Sequence, residues 1–402
     1  MRYKECLDEL YKRQGIKLGL GNINELLSRM GKPDKAYKTV HIAGTNGKGS
    51  VAMFICSILR RSGYRVGLYT SPHLVDFTER IQVDAKPMPR TDVIRLYSQI
   101  KPFLKDHTFF EIVTAMAFSY FDEQGVDYAV VEVGMGGRLD ATNAVMPVLS
   151  VITNISVEHE QYLGSSVEDI AKEKAGIIKK GVPVVTGATG KALERIRAIA
   201  EERDARLYAP EKRSYRLRML GAFQQENAQV AAEACRILGC SSDVIEKGLS
   251  EAFWPGRMQL LEGCLLFDCA HNPAGAKALA DELLMLGKSK ATLVVGMMDD
   301  KDKEGICREL SRVATEVVCC MPKQERSARP ENVAKLFLGK KVRIIEDVAE
   351  ALSYAREKDT TGLVVLTGSI FAVAEGFSAL SLEPFDPQID KRRIQRCKEH
   401  LE

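Results

Sequence analysis

The sequence predicts an α/β protein built on a doubly wound, mostly parallel sheet. Three observations support this fold class. Short apolar segments alternate with helical segments across residues 39–186, a glycine-rich turn joins the first of these strands to a helix, and the alternation restarts after residue 255. We therefore expect a larger domain at 1–255 and a smaller Rossmann-like α/β domain at 256–402.

The elements of the first region follow from their apolar patterns. Residues 1–30 have helical periodicity, and further helices are predicted at 51–61, 107–124 and 167–179. Strands are predicted at 39–43, 65–70, 128–133, 148–154 and 183–186. Because parallel strands end at one edge of their sheet, the loops 44–50, 71–82, 132–143 and 154–164 should lie together there.

The second region repeats the alternation with shorter connections. Its predicted strands cover residues 265–268, 291–296, 317–321, 342–345 and 363–367, with helices at 274–286 and 303–313. The tail after residue 382 is charged and amphipathic, which is more typical of a solvated surface helix than of a binding patch.

Composition narrows the class of protein. The 402 residues are 45% hydrophobic and 28% charged, and the net charge of +3 gives no electrostatic reason to expect nucleic acid or a membrane as partner. No apolar run approaches the roughly 18 residues of a membrane span, and the charged N-terminus does not resemble a signal peptide. The ten cysteines form no CxxC pair or zinc-ligand spacing. We expect a cytoplasmic protein with reduced thiols, and a monomer.

The segment 44–50 contains the strongest chemical signal. A glycine-rich turn between a strand and a helix presents backbone N–H groups at the positive end of the helix, where a phosphate group can bind. Lys48 adds a cation, and the hydroxyl of Ser50 would lie close to a nucleotide-bound Mg²⁺. This pattern predicts a P-loop ATPase-like domain that uses a nucleoside triphosphate.

The loop departs from the standard P-loop pattern at two positions. The pattern requires Gly at position 42 and Ser or Thr directly after the lysine, but this chain has Ile42 and Gly49. The departures indicate a different class of nucleotide-using protein from kinases and GTPases.

Two predicted strand ends carry polar residues whose interpretation stays open. Ser71 either places a hydroxyl near the phosphates or only forms a Ser-Pro turn, and the long loop 75–89 beyond it is typical of a functional segment. Glu132 lies inside an apolar strand, so it is either a metal ligand or half of a buried ion pair, with Arg138 as a possible partner.

Two further residues have both a structural and a functional interpretation. His159 follows a strand end and is a better ligand candidate than an average histidine. Lys174 occupies an apolar helix face, where it either extends its amine to solvent or is a desolvated amine. A neutral amine of this kind can take up CO₂ and become a carbamate.

In the second region, Asp268 and His271 lie three positions apart where a strand is followed by a helix. Arg257 lies at the domain junction, where it either reaches a nucleotide held by the first domain or stabilises the junction.

Seven motifs in this order resemble the folylpolyglutamate synthetase/dihydrofolate synthetase family of the Mur ligase superfamily. The resemblance extends from Leu18 to Ser369, and its motifs are Gly44–Ser50, Ser71–Leu74 with Thr78–Arg80, Phe110-Glu111 with Thr114-Ala115, Glu132–Asn143, Glu173–Ile177, Trp254–Arg257 and Asp268–Pro273. It implies that ATP phosphorylates a pteroate or folate carboxylate and that the amine of L-glutamate attacks the acyl phosphate, which forms an amide.

The resemblance also implies residue roles. The phosphates would lie on Gly44, Thr45, Asn46, Gly47, Lys48, Gly49 and Ser50, and ATP would also contact Asn227, Arg257 and Asp268. Of two expected Mg²⁺ ions, one would be held by Ser50, Ser71 and Glu132, and the other by His159 with support from a carbamylated Lys174. Dihydropteroate or a reduced folate would contact Pro72, His73, Thr78, Arg80 and Phe110, and His271 would lie near glutamate or the γ-phosphate. Since neither domain holds a full site, closure of the domains is expected to be required for catalysis.

The chain departs from the family at Phe223, where histidine is usual, and this puts any contact of that histidine in doubt.

Two alternatives to a folate-type ligase remain. One is a Mur-type ligase for another carboxylate, which the absence of a sequence segment for a UDP-sugar domain before the phosphate loop disfavours. The other is an ATP-binding switch, which would leave Lys174, Asp268 and His271 without a role.

Overall fold

A computed structural model describes residues 1–157, 164, 166–261 and 264–385 of the protein. These residues form two compact units. Unit 1 consists of Met1–Arg218 and Gln224–Phe253, and unit 2 of Met219–Phe223 with the described residues from Trp254 onward. Among the helices of the described residues, none combines the length and the apolar character needed to cross a membrane.

Unit 1 contains an eight-stranded sheet in the order β4-β3-β2-β5-β1-β6-β7-β8. The central strands are parallel and completely buried, which confirms the predicted doubly wound fold. The strands are β1 Lys38–Ala43, β2 Val66–Tyr69, β3 Ile81–Val83, β4 Lys86–Pro87, β5 Tyr128–Glu132, β6 Leu149–Ile152, β7 Val184–Thr186 and β8 Leu207–Tyr208.

Helices pack against this sheet. One apolar cluster joins the first, second, fourth and fifth helices to the sheet, and another joins the sixth and seventh. The helices assigned to unit 1 are α1 Tyr3–Tyr11, α2 Gly21–Arg29, α3 Lys48–Arg61, α4 Arg90–Ile100, α5 Phe109–Glu123, α6 Val167–Ala175, α7 Gly190–Glu202, α8 Ala222–Ile237, whose first two residues belong to unit 2, and α9 Ser242–Glu251.

The structure corrects two predictions in unit 1. Residues 1–30 form two helices, because the connection contains Gly15 and Gly19 with φ angles of +152° and +130°. The predicted loop 75–89 contains a hairpin of β3 and β4, whose two turn residues Asp84 and Ala85 both have positive φ, as a type I′ turn requires. Neither residue is the glycine that usually signals this turn.

Unit 2 contains a six-stranded sheet in the order β13-β12-β11-β14-β10-β9, which is parallel except for β9. Its strands are β9 Gln259–Leu261, β10 Leu265–Phe267, β11 Ala291–Gly296, β12 Ala314–Cys320, β13 Lys341–Ile344 and β14 Val364–Thr367. Its helices are α10 Pro273–Met285, α11 Lys303–Leu310, α12 Pro330–Ala334, α13 Val348–Lys358 and α14 Ile370–Ala379. The predicted surface helix after residue 382 falls mostly outside the described residues.

Candidate active site

The phosphate loop, residues 44–50, connects β1 to α3 and is held by the segment that follows β6. The Thr45 N–H donates to the Asn154 carbonyl oxygen at 2.8 Å, and the Asn46 N–H donates to Asn154 Oδ1 at 3.0 Å. The Thr153 hydroxyl donates to the Asn46 carbonyl oxygen at 2.7 Å. The loop is therefore fixed by hydrogen bonds to a neighbouring strand end, which favours a preorganised anion site.

Two glycines of the loop have no space for a side chain. Gly44 has φ +146°, and a Cβ atom there would lie 1.9 Å from Thr153 Oγ1. Gly47 has φ +81°, and its Cβ would lie 2.2 Å from Asn227 Oδ1. At both positions the φ angle and the lack of space exclude other residues. Glycine therefore allows the main chain to turn tightly beside β6 and α8.

Two lysine amines meet at the Gly44 carbonyl oxygen. Lys48 Nζ donates to the carbonyl oxygens of Gly44 and Thr45, at 3.1 Å each. Lys174 Nζ, from α6, donates to the Gly44 oxygen at 2.8 Å, and Lys174 is only 1% exposed. The amine of Lys174 thus does not extend to solvent, which decides against the snorkelling interpretation.

Ser71 and Glu132 are neighbours beside this loop. Glu132 ends β5 and pairs in register with Ile42 of β1, just before the loop. Its Oε2 accepts a hydrogen bond from the Ser71 N–H at 3.1 Å, and the side chain is buried. Arg138, considered above as a partner for Glu132, forms its ion pair with Glu173 at 3.0 Å. A buried carboxylate oxygen beside a serine and a phosphate loop is a suitable donor set for a hard divalent cation.

Asn227 approaches the loop from α8 within the same unit. Its Nδ2 donates to Gln224 Oε1 at 3.0 Å, and Gln224 Nε2 donates to Ser50 Oγ at 3.4 Å. The chain of side chains from Asn227 to Ser50 therefore connects the start of α8 to the start of α3.

The predicted substrate residues form a group around β2 and α5. Arg80 Nε donates to His73 Nδ1 at 2.9 Å, so the imidazole proton lies on Nε2. Burial and the Arg80 charge lower the pKa of His73 to about 3, which keeps the ring neutral. The Arg80 guanidinium lies 5.2 Å from the Phe109 ring centre, while Phe110 stacks on Tyr69 at 6.0 Å. Thr78 has a local role as well, since its N–H and hydroxyl both donate to Asp76 Oδ1.

Pro72 lies in the sequence between Ser71, which contacts Glu132, and His73, which contacts Arg80. It follows Ser71 through a cis peptide bond. The position connects the serine beside Glu132 to the imidazole beside Arg80.

Sequence analysis missed a buried network next to the phosphate loop. The Thr142 hydroxyl donates to Asp140 Oδ1 at 2.5 Å, so it accepts the proton of His41 Nε2 at 2.9 Å. Asp140 Oδ2 also accepts from the Met135 N–H. The Asp-Ala-Thr sequence was a usable signal for the Asx turn, because aspartate often accepts from the backbone two residues ahead.

His41 should make the stability of unit 1 depend on pH. Burial, reinforced by Lys179, lowers its pKa from 6.5 to about 3, so the unfolded chain binds more protons than the folded chain between these values. The stabilisation is complete above pH 6.5 and is lost as the pH falls towards 3. From pH 6.5 to 5 we expect a loss of about 2 kcal/mol in the free energy of unfolding. Urea unfolding should show a weaker pH dependence in His41→Gln than in the unsubstituted protein, and equal dependence in both would contradict this assignment.

Unit 2 presents a second polar group at the end of β10. Asp268 accepts from the N–H groups of Met258 and Ala270, each at 2.9 Å. Burial raises the pKa of this carboxyl, and the charge of Arg257 partly opposes the shift. His271 is half-buried, and its Nδ1 lies 2.9 Å from the Cys269 carbonyl oxygen, which requires the proton on that nitrogen. Asn272 caps α10 through the Gly275 N–H.

The structure thus brings together most predicted residues within each unit. In unit 1 these are the phosphate loop, Ser71, Glu132, Lys174 and Asn227, and in unit 2 they are Arg257, Asp268 and His271. His159, the predicted ligand of a second cation, lies outside the described residues.

Two regions of the chain match known protein families. Residues 42–213 match the family described as Mur ligase middle domain, and residues 256–370 match Mur ligase, glutamate ligase domain.

Individual relatives are similar over almost all of the chain. A probable bifunctional folylpolyglutamate synthase/dihydropteroate synthase of Haloferax volcanii is 38% identical over 93% of this chain, which spans 50% of that relative's length. The dihydrofolate synthase/folylpolyglutamate synthase of Bacillus subtilis is 32% identical over 90% of this chain and 94% of its own length.

A solved structure has the same fold. It is a bifunctional folylpolyglutamate synthase/dihydrofolate synthase with Mn, AMPPNP and L-glutamate bound. The ternary complex is 31% identical to this chain, with a TM-score of 0.88 over 95% of this chain and 98% of that one. The chain therefore belongs to the folylpolyglutamate synthase/dihydrofolate synthase family, a family of ATP-dependent Mur ligases.

Proposed function

We propose that this protein joins L-glutamate to the carboxylate of a pteroate or folate, with ATP as the source of energy. The observation that carries the proposal is the contact between Ser71 and Glu132 beside the phosphate loop, together with the buried Lys174 amine that donates to the Gly44 carbonyl oxygen. A carboxylate becomes an electrophile when ATP phosphorylates one of its oxygens. The amine of glutamate then attacks the acyl carbon, and phosphate leaves with the electrons of the C–O bond.

The residues of unit 1 have separate parts in this reaction. The backbone N–H groups of the phosphate loop and the Lys48 amine bind and orient the phosphates of ATP. Ser50, Ser71 and Glu132 would hold Mg²⁺, whose oxygen preference matches this donor set. Bound there, Mg²⁺ would supply positive charge that stabilises the transferring phosphoryl group. We further propose a second ion on His159.

Lys174 is proposed to carry a carbamate. The burial of its side chain in α6 favours the neutral amine, which can attack CO₂ and lose a proton to give an anion. The change would replace the buried amine beside Gly44 by an anion that supports the second Mg²⁺. This modification would explain why an otherwise apolar helix face contains a lysine.

The acceptor is proposed to lie against His73, Arg80 and Phe110. Arg80 contacts the His73 imidazole and the Phe109 ring, and neither contact neutralises the positive charge of its guanidinium. The negative charges of Glu79 and Glu132 also act on this guanidinium. Pro72 and Thr78 would border the same region. A desolvated guanidinium is therefore suited to orient the carboxylate of the acceptor.

Arg80→Ala should raise KM for the acceptor by about 10- to 100-fold, because a charge-assisted hydrogen bond in a buried site contributes roughly 1.5–3 kcal/mol. KM for ATP should change little. Arg90→Ala is the matched control, since Arg90 follows the same hairpin in sequence but its side chain is 64% exposed. Steady-state kinetics with each substrate varied in turn test this, and equal effects of the two variants on acceptor KM would exclude the role.

Unit 2 is proposed to bind glutamate and to contact ATP. Arg257 and Asp268 would contact ATP, with the orientation of Asp268 set by two backbone N–H groups. The Nε2 atom of His271 is the nitrogen with an accepting lone pair, so it can accept a proton from the attacking amine or bind glutamate.

The decisive experiment measures ADP release by the purified protein with each substrate omitted in turn. The proposal expects ADP release only when L-glutamate and either dihydropteroate or a reduced folate are present together. Comparison of these two acceptors defines the substrate, and size-exclusion chromatography with light scattering tests the proposed monomer. ADP release without acceptor would instead favour an ATP-binding switch, and activity with another carboxylate would favour a different Mur-type ligase.

A further inference from the structure

Helix α8 ends in a motif that brings two cysteines together, away from the candidate active site. The Cys240 N–H donates to the Cys235 carbonyl oxygen at 3.0 Å, and the Gly239 N–H donates to the Arg236 carbonyl oxygen at 3.0 Å. Gly239 has φ +89°. These are the two hydrogen bonds and the left-handed residue of a Schellman motif.

In this motif the residue three positions before the cap and the residue two positions after it commonly form an apolar contact. Here both of these residues are cysteines, at the two positions that usually make this contact. The backbone geometry of the helix end therefore holds the two sulfurs next to each other.

The environments of the two sulfurs differ. Cys235 is fully buried, and burial raises the pKa of its thiol well above the usual value. Cys240 is half-buried, and hydrogen bonds from Cys235 and Ser62 lower its pKa to about 6. The Ser62 hydroxyl, directly after α3, lies 3.4 Å from the Cys240 sulfur. Cys240 is thus an accessible thiol stabilised as the thiolate, and Cys235 is a protected thiol beside it.

We propose that Cys240 and Cys235 form a reversible disulfide when the protein meets a peroxide, with Cys240 oxidised first. The Cys240 thiolate attacks a peroxide oxygen and breaks the O–O bond, which gives a sulfenic acid and hydroxide. The Cys235 sulfur then loses its proton, attacks the sulfenic sulfur and releases the oxygen as water. Two thiols and one hydrogen peroxide become one disulfide and two waters, so two electrons pass from sulfur to oxygen.

The position of this pair connects it to the candidate site through two helices. α3 begins with Lys48 and Ser50 and ends beside Ser62, while α8 carries Gln224 and Asn227 in its first turns and ends at the cysteine pair. The disulfide would therefore form where α3 and α8, the two helices that begin beside the phosphate loop, both end. The proposal for this disulfide does not depend on which substrate the protein uses.

Tryptic mapping of the full-length chain can test the proposal directly, because Arg236 lies between the two cysteines. Trypsin separates residues 219–236 from residues 237–247, so a disulfide links two peptides that are otherwise independent. After hydrogen peroxide treatment and alkylation of free thiols, mass spectrometry should find this linked pair, and dithiothreitol should abolish it. In Cys235→Ser, dimedone should label Cys240 instead.

Cys264 provides the matched control, since it is also half-buried. At a peroxide dose that oxidises Cys240, Cys264 should stay reduced and should still be alkylated afterwards. The variant Cys264→Ser should form the linked peptide pair as the unsubstituted protein does. The proposal would be overturned if Cys240 stayed reduced at a dose that oxidises Cys264. It would also be overturned if Cys240 of the unsubstituted protein reached the sulfinic acid without any linked pair.

Discussion

Lys174→Ala should abolish ligase activity, with a fall in kcat of at least about 100-fold. The amine is buried against the Gly44 carbonyl oxygen, so the substitution removes the proposed carbamate next to the phosphate loop. Loss of an electrostatic group in a preorganised site costs roughly 2.7–4 kcal/mol in catalysis, which corresponds to 10²–10³ in kcat. ADP formation under saturating substrates is the measurement.

A simple loss of structure would also reduce activity, so the design needs a readout specific to the carbamate. In Lys174→Ala, bicarbonate should not restore activity, whereas a small carboxylate such as acetate should restore part of it by occupying the vacated anion position. Lys172→Ala is the control, because Lys172 lies on the same helix but is exposed. Full activity of Lys174→Ala would exclude the carbamate role. Thermal unfolding of both variants separates a catalytic loss from a folding defect.

The positions of the central strands could be predicted from sequence because both sheets are mostly parallel. Parallel strands are buried on both faces and appear as apolar runs, and their ends meet at one edge, so Ser71 and Glu132 could be expected to be neighbours. Glycine at 44 and 47 similarly indicated the turn of the phosphate loop. These features depend on local pattern and on general sheet geometry.

Other parts of the site depend on tertiary contacts that no local pattern contains. His41 lies in a strand of apolar neighbours, and only the structure shows that the Thr142 hydroxyl accepts its proton. The approach of Asn227 to Gly47 requires a helix 180 residues further along the chain to pack beside the loop. The hairpin turn at Asp84 and Ala85 was missed because two non-glycine residues adopt positive φ.

Gly47→Ala should remove most of the affinity for ATP. The new Cβ would lie 2.2 Å from Asn227 Oδ1, and φ +81° is strained for alanine by about 1–2 kcal/mol even without the clash. Relief requires movement of the loop or of Asn227, and either movement disturbs the N–H groups that are proposed to bind phosphate. We expect ATP affinity to fall by at least about 100-fold in calorimetric titrations, because several charge-assisted hydrogen bonds are lost together.

Two comparisons separate the clash from the backbone strain. Gly63→Ala has a similar φ of +90° just after α3 but nothing within 4 Å of the new Cβ, so it should cost about 1–2 kcal/mol of stability and leave ATP affinity unchanged. The double variant Gly47→Ala/Asn227→Ala removes the clashing amide, so its melting temperature should exceed the value expected from adding the two single effects. If the two effects were additive, or if Gly47→Ala bound ATP normally, the packing of Asn227 against the phosphate loop could not be what requires glycine at position 47.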